Sequence, residues 1–569
     1  MTMKIPQQLI KDWAHTCPER VFLKQPVNGQ YLDFTFHDVY EQSSKMASAL
    51  LAQGLEPGDK VAILSKNCAH WFMADFAIML AGLISIPIYP TANRETIAYV
   101  LEHSEAKLLF AGKLDDWESQ KSGVPESMAV IGFPYGVTTS LKWDELIADQ
   151  SLVNAHEPQW DDIMTILYTS GSTGKPKGAI HSYRTFMAAG YHAGGSIYLG
   201  QEDRILSYLP LAHCTERAYV ESTSLSYGQQ VWFAESLDTF ARDLVSTSPT
   251  IFGSVPRLWT QFQTKIHERL PPEKLQKLLR IPLLNRLVKA KIKRSMGLHK
   301  ARLFLSGSAP ISQALLRWYQ NLGIDITEGW GMTETFAYAT LLPYGEKPRT
   351  GSIGKAGPEV DVKIAEDGEI LVKSPTLMQG YYKMETDESV IVDGYLKTGD
   401  KGEIDSEGYI KITGRLKEIF KTAKGKYVAP AKLEGLFADS PFLEQACVLG
   451  SGLTQPVAIL QLNPAGQAVP RDALTAHLDE LLASVNEKLE KHEKISGVVV
   501  AAAPWTVESG ILTPTLKIKR GEIEKLYQSQ LESDVVKGVV FEPQGEREVM
   551  VDEPAPIATR TGQSVSATG

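Results

Sequence analysis

The sequence predicts an α/β protein built largely on a parallel sheet, followed by a smaller β-rich unit and a further α/β stretch. Three observations predict it. Short apolar runs alternate with helical patterns through the first half of the chain. From Gly351 the strands become short and closely spaced, with glycine turns between them. The composition is that of a globular chain: 569 residues, 43% hydrophobic and 22% charged, with only 45 Gly and 31 Pro. Collagen, whole-chain disorder and coiled coil are thereby excluded, and a chain this long can bury several cores.

The elements follow in order. Residues 60–64 (KVAIL) read as a strand, 67–81 as a helix, 83–88 (LISIPI) as a strand, 95–103 as a helix and 107–110 (KLLF) as a strand. That β-α-β-α-β order requires crossovers, and hence parallel pairing with helices on the faces. Residues 163–168 (IMTILY) read as a buried strand running into a Gly/Ser/Thr loop. Residues 303–305 precede SGSAP, and 324–326 precede TEGWG. Ligands of such sheets bind beyond the carboxyl ends of the strands, so these three loops are candidate site elements. Residues 360–364, 369–373 and 409–413 are the short strands of the β-rich unit. An α/β pattern then continues to about residue 545, and Gly545–Gly569, rich in Pro, Ser, Thr and Ala, reads as a disordered tail.

Lys and Arg number 58 against 67 Asp and Glu, a net charge of −9, so the chain lacks the overall basic footprint of a nucleic-acid binder, and none is expected as a partner. The four cysteines, Cys17, Cys68, Cys214 and Cys447, are too far apart for a zinc spacing or a disulfide framework. The first residues, Met1 to Lys24, carry charges throughout and lack a signal-peptide apolar stretch. Residues 72–90 are nearly uncharged, but Asp75, Pro87 and Pro90 interrupt them. They read as a buried helix running into a buried strand, against the alternative of a membrane span.

Residues 257–302 are locally basic. Within them Leu284, Leu287, Val288, Ile292 and Met296 fall near helical spacing on one face. A solvated helix with its apolar stripe in the core is one reading, and a contact with an anionic membrane surface through 284–296 is the other. The expected localisation is cytoplasmic, with that peripheral contact open.

The chemistry concentrates in a few motifs. The stretch from Thr169 to Gly178, TSGSTGKPKG, has glycines that let N–H groups converge on an anion, with hydroxyls and lysines adding donors and charge. Gly171 and Gly174 are too close for a Walker loop, and a flexible linker does not follow a buried strand directly. In the stretch from Glu328 to Glu334, EGWGMTE, Trp330 between glycines can lie flat on a planar ring, and Thr333 and Glu334 offer oxygens suited to magnesium beside phosphates. Asp400, after a glycine, can hold a ribose diol, though alone it also fits a turn.

In this order the motifs resemble the adenylate-forming superfamily of acyl-CoA synthetases, peptide-synthetase adenylation domains and firefly-type luciferases. The resemblance covers residues 30–525: YTSGSTGKPKGAIHS (168–182), LFLSGSAPIS (303–312), GWGMTE (329–334), GYLKTGDKGEIDSEGYIKITGR (394–415) and ILTPTLKIKR (511–520). LPLAHCTER (209–217) and the basic insertion are most similar to long-chain fatty acyl-CoA synthetases.

The resemblance implies a large N-terminal AMP-binding domain, 1–416, a small mobile α+β domain, 417–545, and the tail, 546–569. It implies that Thr169, Ser170, Gly171, Ser172, Thr173, Gly174, Lys175 and Lys177 hold the ATP phosphates. Gly307, Ser308 and Ala309 would border the adenine, with Trp330 and Gly331 against it. Thr333 would touch the α-phosphate, Glu334 and Thr169 would hold Mg2+, and Asp400 and Arg415 would bind the ribose or phosphate. Lys417 would be the hinge, and Lys424, Gly425 and Lys426 would help form a CoA channel. Lys517 would reach the carboxylate and α-phosphate, with Lys519 as its competitor. His213 would lie near the substrate carboxylate, or be buried for structural reasons; Cys214-Thr215 replaces the apolar-aromatic pair common at that place.

The implied reaction is ATP + fatty acid + CoA giving acyl-CoA, AMP and pyrophosphate. A carboxylate is a poor electrophile, and adenylation supplies AMP as a leaving group. Bringing two anions together calls for a metal ion, a lysine and backbone dipoles. Transfer of the acyl group to another acceptor, or nucleotide and acyl binding without catalysis, are the alternatives.

Overall fold

The computed structural model describes residues 2–169, 176–384, 390–438, 440–507, 509–513, 516–532 and 536–543. The expected tail and residues 170–175 of the phosphate loop lie outside them.

The largest sheet has eight strands, in the order Gly380–Tyr381, Lys177–Ser182, Ile163–Thr169, Ile84–Ile88, Lys60–Leu64, Ala106–Ala111, Ala129–Gly132 and Leu141–Lys142. The last six pair in parallel, and only Lys177–Ser182 runs against the rest, pairing antiparallel with both its neighbours. The helix Ala69–Leu80 is buried over its whole length, which explains its continuous apolar sequence. It runs into the buried strand Ile84–Ile88, as the reading of 72–90 expects. No helix among the described residues is long and apolar enough to cross a membrane.

A second sheet, Arg204–Ser207, Gln230–Phe233, Val21–Val27 and Gln30–Thr35, packs on the same core. A third holds three parallel strands, Ile251–Ser254, Leu303–Ser306 and Ile326–Glu328. The last of these starts two residues later than the expected 324–326. The reason is local: the Ile324 amide donates to Tyr319 O at 3.0 Å, closing the helix Gln313–Asn321 after Gly323, whose φ is +71°.

The β-rich unit is antiparallel: Asp361–Ile364, Glu369–Lys373, Tyr395–Ile404 and Ile391–Val392, with Ile410–Arg415 beside the third. The C-terminal region builds its own core on Leu443–Leu449, Val457–Leu462, Gly497–Val500 and Gly538–Phe541, covered by Pro430–Phe437, Arg471–Glu487 and Arg520–Glu532.

The basic segment departs from the expected stripe. On the helix Pro282–Ser295, Ile292 is buried, Met296 just after it is buried, and Val288 packs against the same cluster. Leu284 and Leu287 instead face solvent, 39% and 66% exposed. At about 100° per residue, Val288, Ile292 and Met296 span about 80°, while Leu287 lies about 140° from Ile292 and about 180° from Met296, so one narrow stripe cannot hold all five.

Candidate active site

Thr169 and Lys177 are register partners at the open end of an antiparallel pair, which places the termini of the phosphate loop side by side. The Lys177 ammonium lies 5.2 Å from the ring centre of Tyr381. Tyr381 sits on the edge strand paired with Lys177–Ser182, opposite Ala179. Its hydroxyl donates to Glu334 Oε1 at 2.7 Å, while Met378 N donates to the Glu334 carbonyl at 2.8 Å. Burial, followed by the Glu334 charge, raises the Tyr381 phenol and keeps it a donor. No motif marked Tyr381; its role emerges from strand pairing across two hundred residues of sequence.

The strands Leu303–Ser306 and Ile326–Glu328 are parallel neighbours, so Gly307, Ser308 and Ala309 emerge beside Gly329, Trp330 and Gly331. A Cβ on Gly307 would come within 3.2 Å of Gly329 O, and one on Gly331 within 2.3 Å of the Ala337 backbone. Ser308, Phe336 and Ala337 all have positive φ, of 67°, 48° and 59°. Such positions cost about 1–3 kcal/mol each and persist only where surrounding structure holds them.

Trp330 and Asp400 meet directly. The indole Nε1 donates to Asp400 Oδ2 at 3.1 Å, and Arg415 Nε donates to Asp400 Oδ1 at 2.8 Å. Asp400 and Arg415 are register partners across the β-rich sheet, and Thr398 Oγ1 accepts from Asp400 N at 3.1 Å. The carboxylate is thus held by Trp330 and Arg415, and its backbone by Thr398.

His213 caps the short helix Cys214–Glu216: its Nδ1 accepts from Thr215 N at 3.2 Å. Burial, followed by the Lys517 charge, lowers the imidazole to about 3. A neutral ring accepting at Nδ1 carries its proton on Nε2. Cys214 Sγ lies 3.7 Å from Thr333 Oγ1, and burial raises its thiol to about 11, so it is not a thiolate.

Lys517 stands on a tight turn, where its amide donates to Thr513 Oγ1 at 3.0 Å and its carbonyl accepts from Thr513 N at 2.8 Å. Protein surrounds it on most sides, though its side chain remains open to solvent. That partial desolvation lowers its pKa, the Arg415 charge adds to the effect, and Cys214, Asp400 and Glu334 oppose it. The turn that carries Lys517 therefore shares one electrostatic environment with Asp400 and Arg415 of the β-rich sheet and with Cys214 and Glu334. Lys519 spends its amide on Ile511 O at 2.8 Å, continuing the turn.

Comparison with known proteins gives the family. Residues 10–382 match the AMP-binding enzyme family, and residues 417–534 match the AMP-binding enzyme C-terminal domain. The chain belongs to the AMP-binding enzyme family. It is 28% identical to a long-chain-fatty-acid–CoA ligase of Mycobacterium bovis, over 91% of this chain and 94% of that protein. It is 29% identical to the peroxisomal long chain acyl-CoA synthetase 6 of Arabidopsis thaliana, over 88% of this chain and 81% of that one. An anthranilate CoA ligase solved with anthranoyl-AMP shares the fold at a TM-score of 0.77 and 21% identity, covering 93% of this chain and 98% of its own. So does the o-succinylbenzoate CoA synthetase of Bacillus subtilis solved with ATP and magnesium, at 0.71 and 23%, covering 92% and 100%.

Other residues implied by the family resemblance are exposed. Lys417 is exposed on the one-turn helix Leu416–Glu418, next to Glu418, which pairs with Arg520 at 3.3 Å. Lys424, Gly425 and Lys426 form an exposed turn between Phe420–Lys421 and Tyr427–Val428, with Gly425 at φ +74°.

Beneath His213 this AMP-binding enzyme buries a charge cluster that the sequence did not reveal. Arg217 pairs with Asp75, donates from Nε to Glu221 Oε2 at 3.1 Å and from Nη1 to Thr165 Oγ1 at 3.0 Å, and lies over Trp71 and Phe186. All three charged side chains are fully buried. Burial, followed by the Asp75 charge, raises Glu221 far above the usual carboxyl range, so Glu221 carries a proton and the cluster is neutral. Asp75 marked the break in the apolar run at 72–90; its partner could not be named from spacing.

Proposed function

We propose that the protein is an ATP-dependent fatty acid–CoA ligase acting on acids of medium to long chain. It adenylates the carboxylate with release of pyrophosphate, then forms the thioester with CoA and releases AMP. The observation that supports this reading is that the Lys517 ammonium feels the charges of Arg415, Asp400 and Glu334 and in turn acts on His213. The relatives' names support the fatty acid over other carboxylates.

The roles follow from chemistry. Thr169, Lys177 and the loop between them receive the β- and γ-phosphates, with backbone N–H groups as donors. Trp330 covers the adenine between its loop and that of Gly307, Ser308 and Ala309. Asp400, already fixed by Trp330 and Arg415, accepts from the ribose hydroxyls. Lys517 offsets the repulsion between the carboxylate and the α-phosphate, and the Nε2 proton of His213 can orient the carboxylate. Neither step needs a nucleophilic side chain, which agrees with the un-ionised thiol of Cys214.

The donor set fits Mg2+. Among the described residues no group of three or more His, Cys, Asp or Glu could hold a metal. The Glu334 carboxylate and the Thr169 hydroxyl would hold the ion, both being the hard oxygens this cation favours. When bound it would supply neutralisation of phosphate charge.

The test is a panel of acids from acetate to oleate, assayed by AMP release with and without CoA. The reading expects turnover with the longer acids and CoA consumed in step with AMP. AMP release without matching CoA loss points to another acyl acceptor. No release with any acid overturns the reading.

A further inference from the structure

We propose that the helical corner at residues 274–294 docks the protein on an anionic lipid surface. The helices Pro272–Leu279 and Pro282–Ser295 meet at Ile281. Their inner sides are anchored by Leu275 and Ile292 in the core shared with Trp259 and Tyr319. Their outer side carries Ile281, Leu283, Leu284 and Leu287, at 48%, 78%, 39% and 66% exposure. Four large apolar side chains exposed within seven residues form a cluster, where scattered single ones would need no explanation.

The charge along this corner is basic, with Glu273 at its start and Asp325 facing Lys293 as acidic neighbours. Between residues 274 and 294 the sequence holds Lys274, Lys277, Arg280, Arg286, Lys289, Lys291, Lys293 and Arg294, and no Asp or Glu. Lys293 spends its ammonium on Gly323 O, while Lys274, Lys277, Arg280, Arg286, Lys291 and Arg294 are exposed. This is a basic face within a chain of net charge −9. The pattern fits an interfacial element: leucines enter the acyl boundary while cations meet anionic headgroups. A second copy of the same patch is disfavoured because its cations would face cations.

The proposal does not rest on the ligase reading, since the readout is vesicle binding rather than turnover. The full-length protein is sedimented with vesicles of phosphatidylcholine alone, and with vesicles containing equal parts of phosphatidylcholine and phosphatidylglycerol, at low and high salt. The expected result is binding to the anionic vesicles that weakens with salt. Each cation near such a surface is worth about fivefold in partition, so R286Q/K291Q/R294Q should lose at least about tenfold. L283E/L287E should lose binding even at low salt. Circular dichroism and thermal melting establish that both variants fold, as exposed positions should allow. Absence of binding by the unaltered protein overturns the proposal. So does equal binding by the unaltered protein and both folded variants, which would place the contact elsewhere.

Discussion

The hydroxyl of Tyr381 donates to Glu334 Oε1 at 2.7 Å, joining the edge strand of the largest sheet to the loop after Trp330. Because Tyr381 also lies under the Lys177 ammonium, the carboxylate is fixed relative to the end of the phosphate loop. A carboxylate held in this way would present a fixed oxygen to an ion arriving with the nucleotide phosphates.

Replacement of Glu334 by Ala is therefore expected to lower pyrophosphate release by at least about 10²-fold while leaving the fold unchanged. Tyr381→Phe keeps the carboxylate and loses only its tether. That variant should need more Mg2+ for half-maximal rate but recover at saturation. Pyrophosphate release measured across a magnesium titration checks both. Near-normal adenylation by Glu334→Ala would remove it as a metal ligand.

The Arg217 cluster predicts an asymmetry between its members. Arg217→Met strands Asp75 in the core without a cation, a loss of about 3–5 kcal/mol. That is a large share of the roughly 5–15 kcal/mol by which folded domains are stable. Glu221 already carries a proton, so Glu221→Gln changes little charge. Thermal melting should show a steep drop for the arginine variant and a small one for the glutamine variant. Equal drops would mean that Glu221 is ionised.

Buried histidines and carboxyls predict opposite pH dependences. Burial lowers His181 to about 3, so the folded state resists a proton that an unfolded histidine takes up near pH 6.5. The contribution of His181 is intact above pH 6.5 and is lost as pH falls below it. Burial raises Glu216 to about 8, so its contribution is intact below the usual carboxyl value of 4.5 and is lost as pH rises from there through 8. Melting temperatures of His181→Leu and Glu216→Gln, each compared with the unaltered protein from pH 5 to 8.5, should diverge in opposite directions. Parallel curves would contradict both assignments.

The sequence carried the parallel sheet because each buried strand is a short apolar run bounded by a helix; residues 60–64 and 369–373 match the observed strands residue for residue. The placing of the loops at Gly307 and Trp330 side by side, beyond neighbouring parallel strands, was legible from the runs that precede them. Tyr381 and the Asp75–Arg217 pair were not legible, because strand register and core packing bring them together and leave no local spacing. The stripe at 284–296 misled for a related reason. Leucines on the wet side of a helix look the same in sequence as leucines in a core, and only packing separates Leu287 from Ile292.

Lys517 tests the two-step chemistry itself. Its amide and carbonyl are locked to Thr513, so its turn places the ammonium beside Arg415, Asp400 and Glu334. Two anions must approach there during adenylation, and loss of such a donor costs about 10²–10³ in rate. Thioester formation has a different requirement: the adenylate already exists, and the thiol needs room where the lysine now stands. A swing of the C-terminal region about Lys417 would supply that room and carry Lys517 away. Lys517→Ala should then fail with ATP and fatty acid, yet convert ready-made acyl-AMP and CoA to acyl-CoA at a near-normal rate. Lys519→Ala, on a residue whose amide continues the turn, should spare both half-reactions. Both are read by pyrophosphate release from ATP and fatty acid and by acyl-CoA formed from acyl-AMP and CoA. Equal damage to the two half-reactions by Lys517→Ala would make the lysine a structural element of its turn and leave the swing about Lys417 without support.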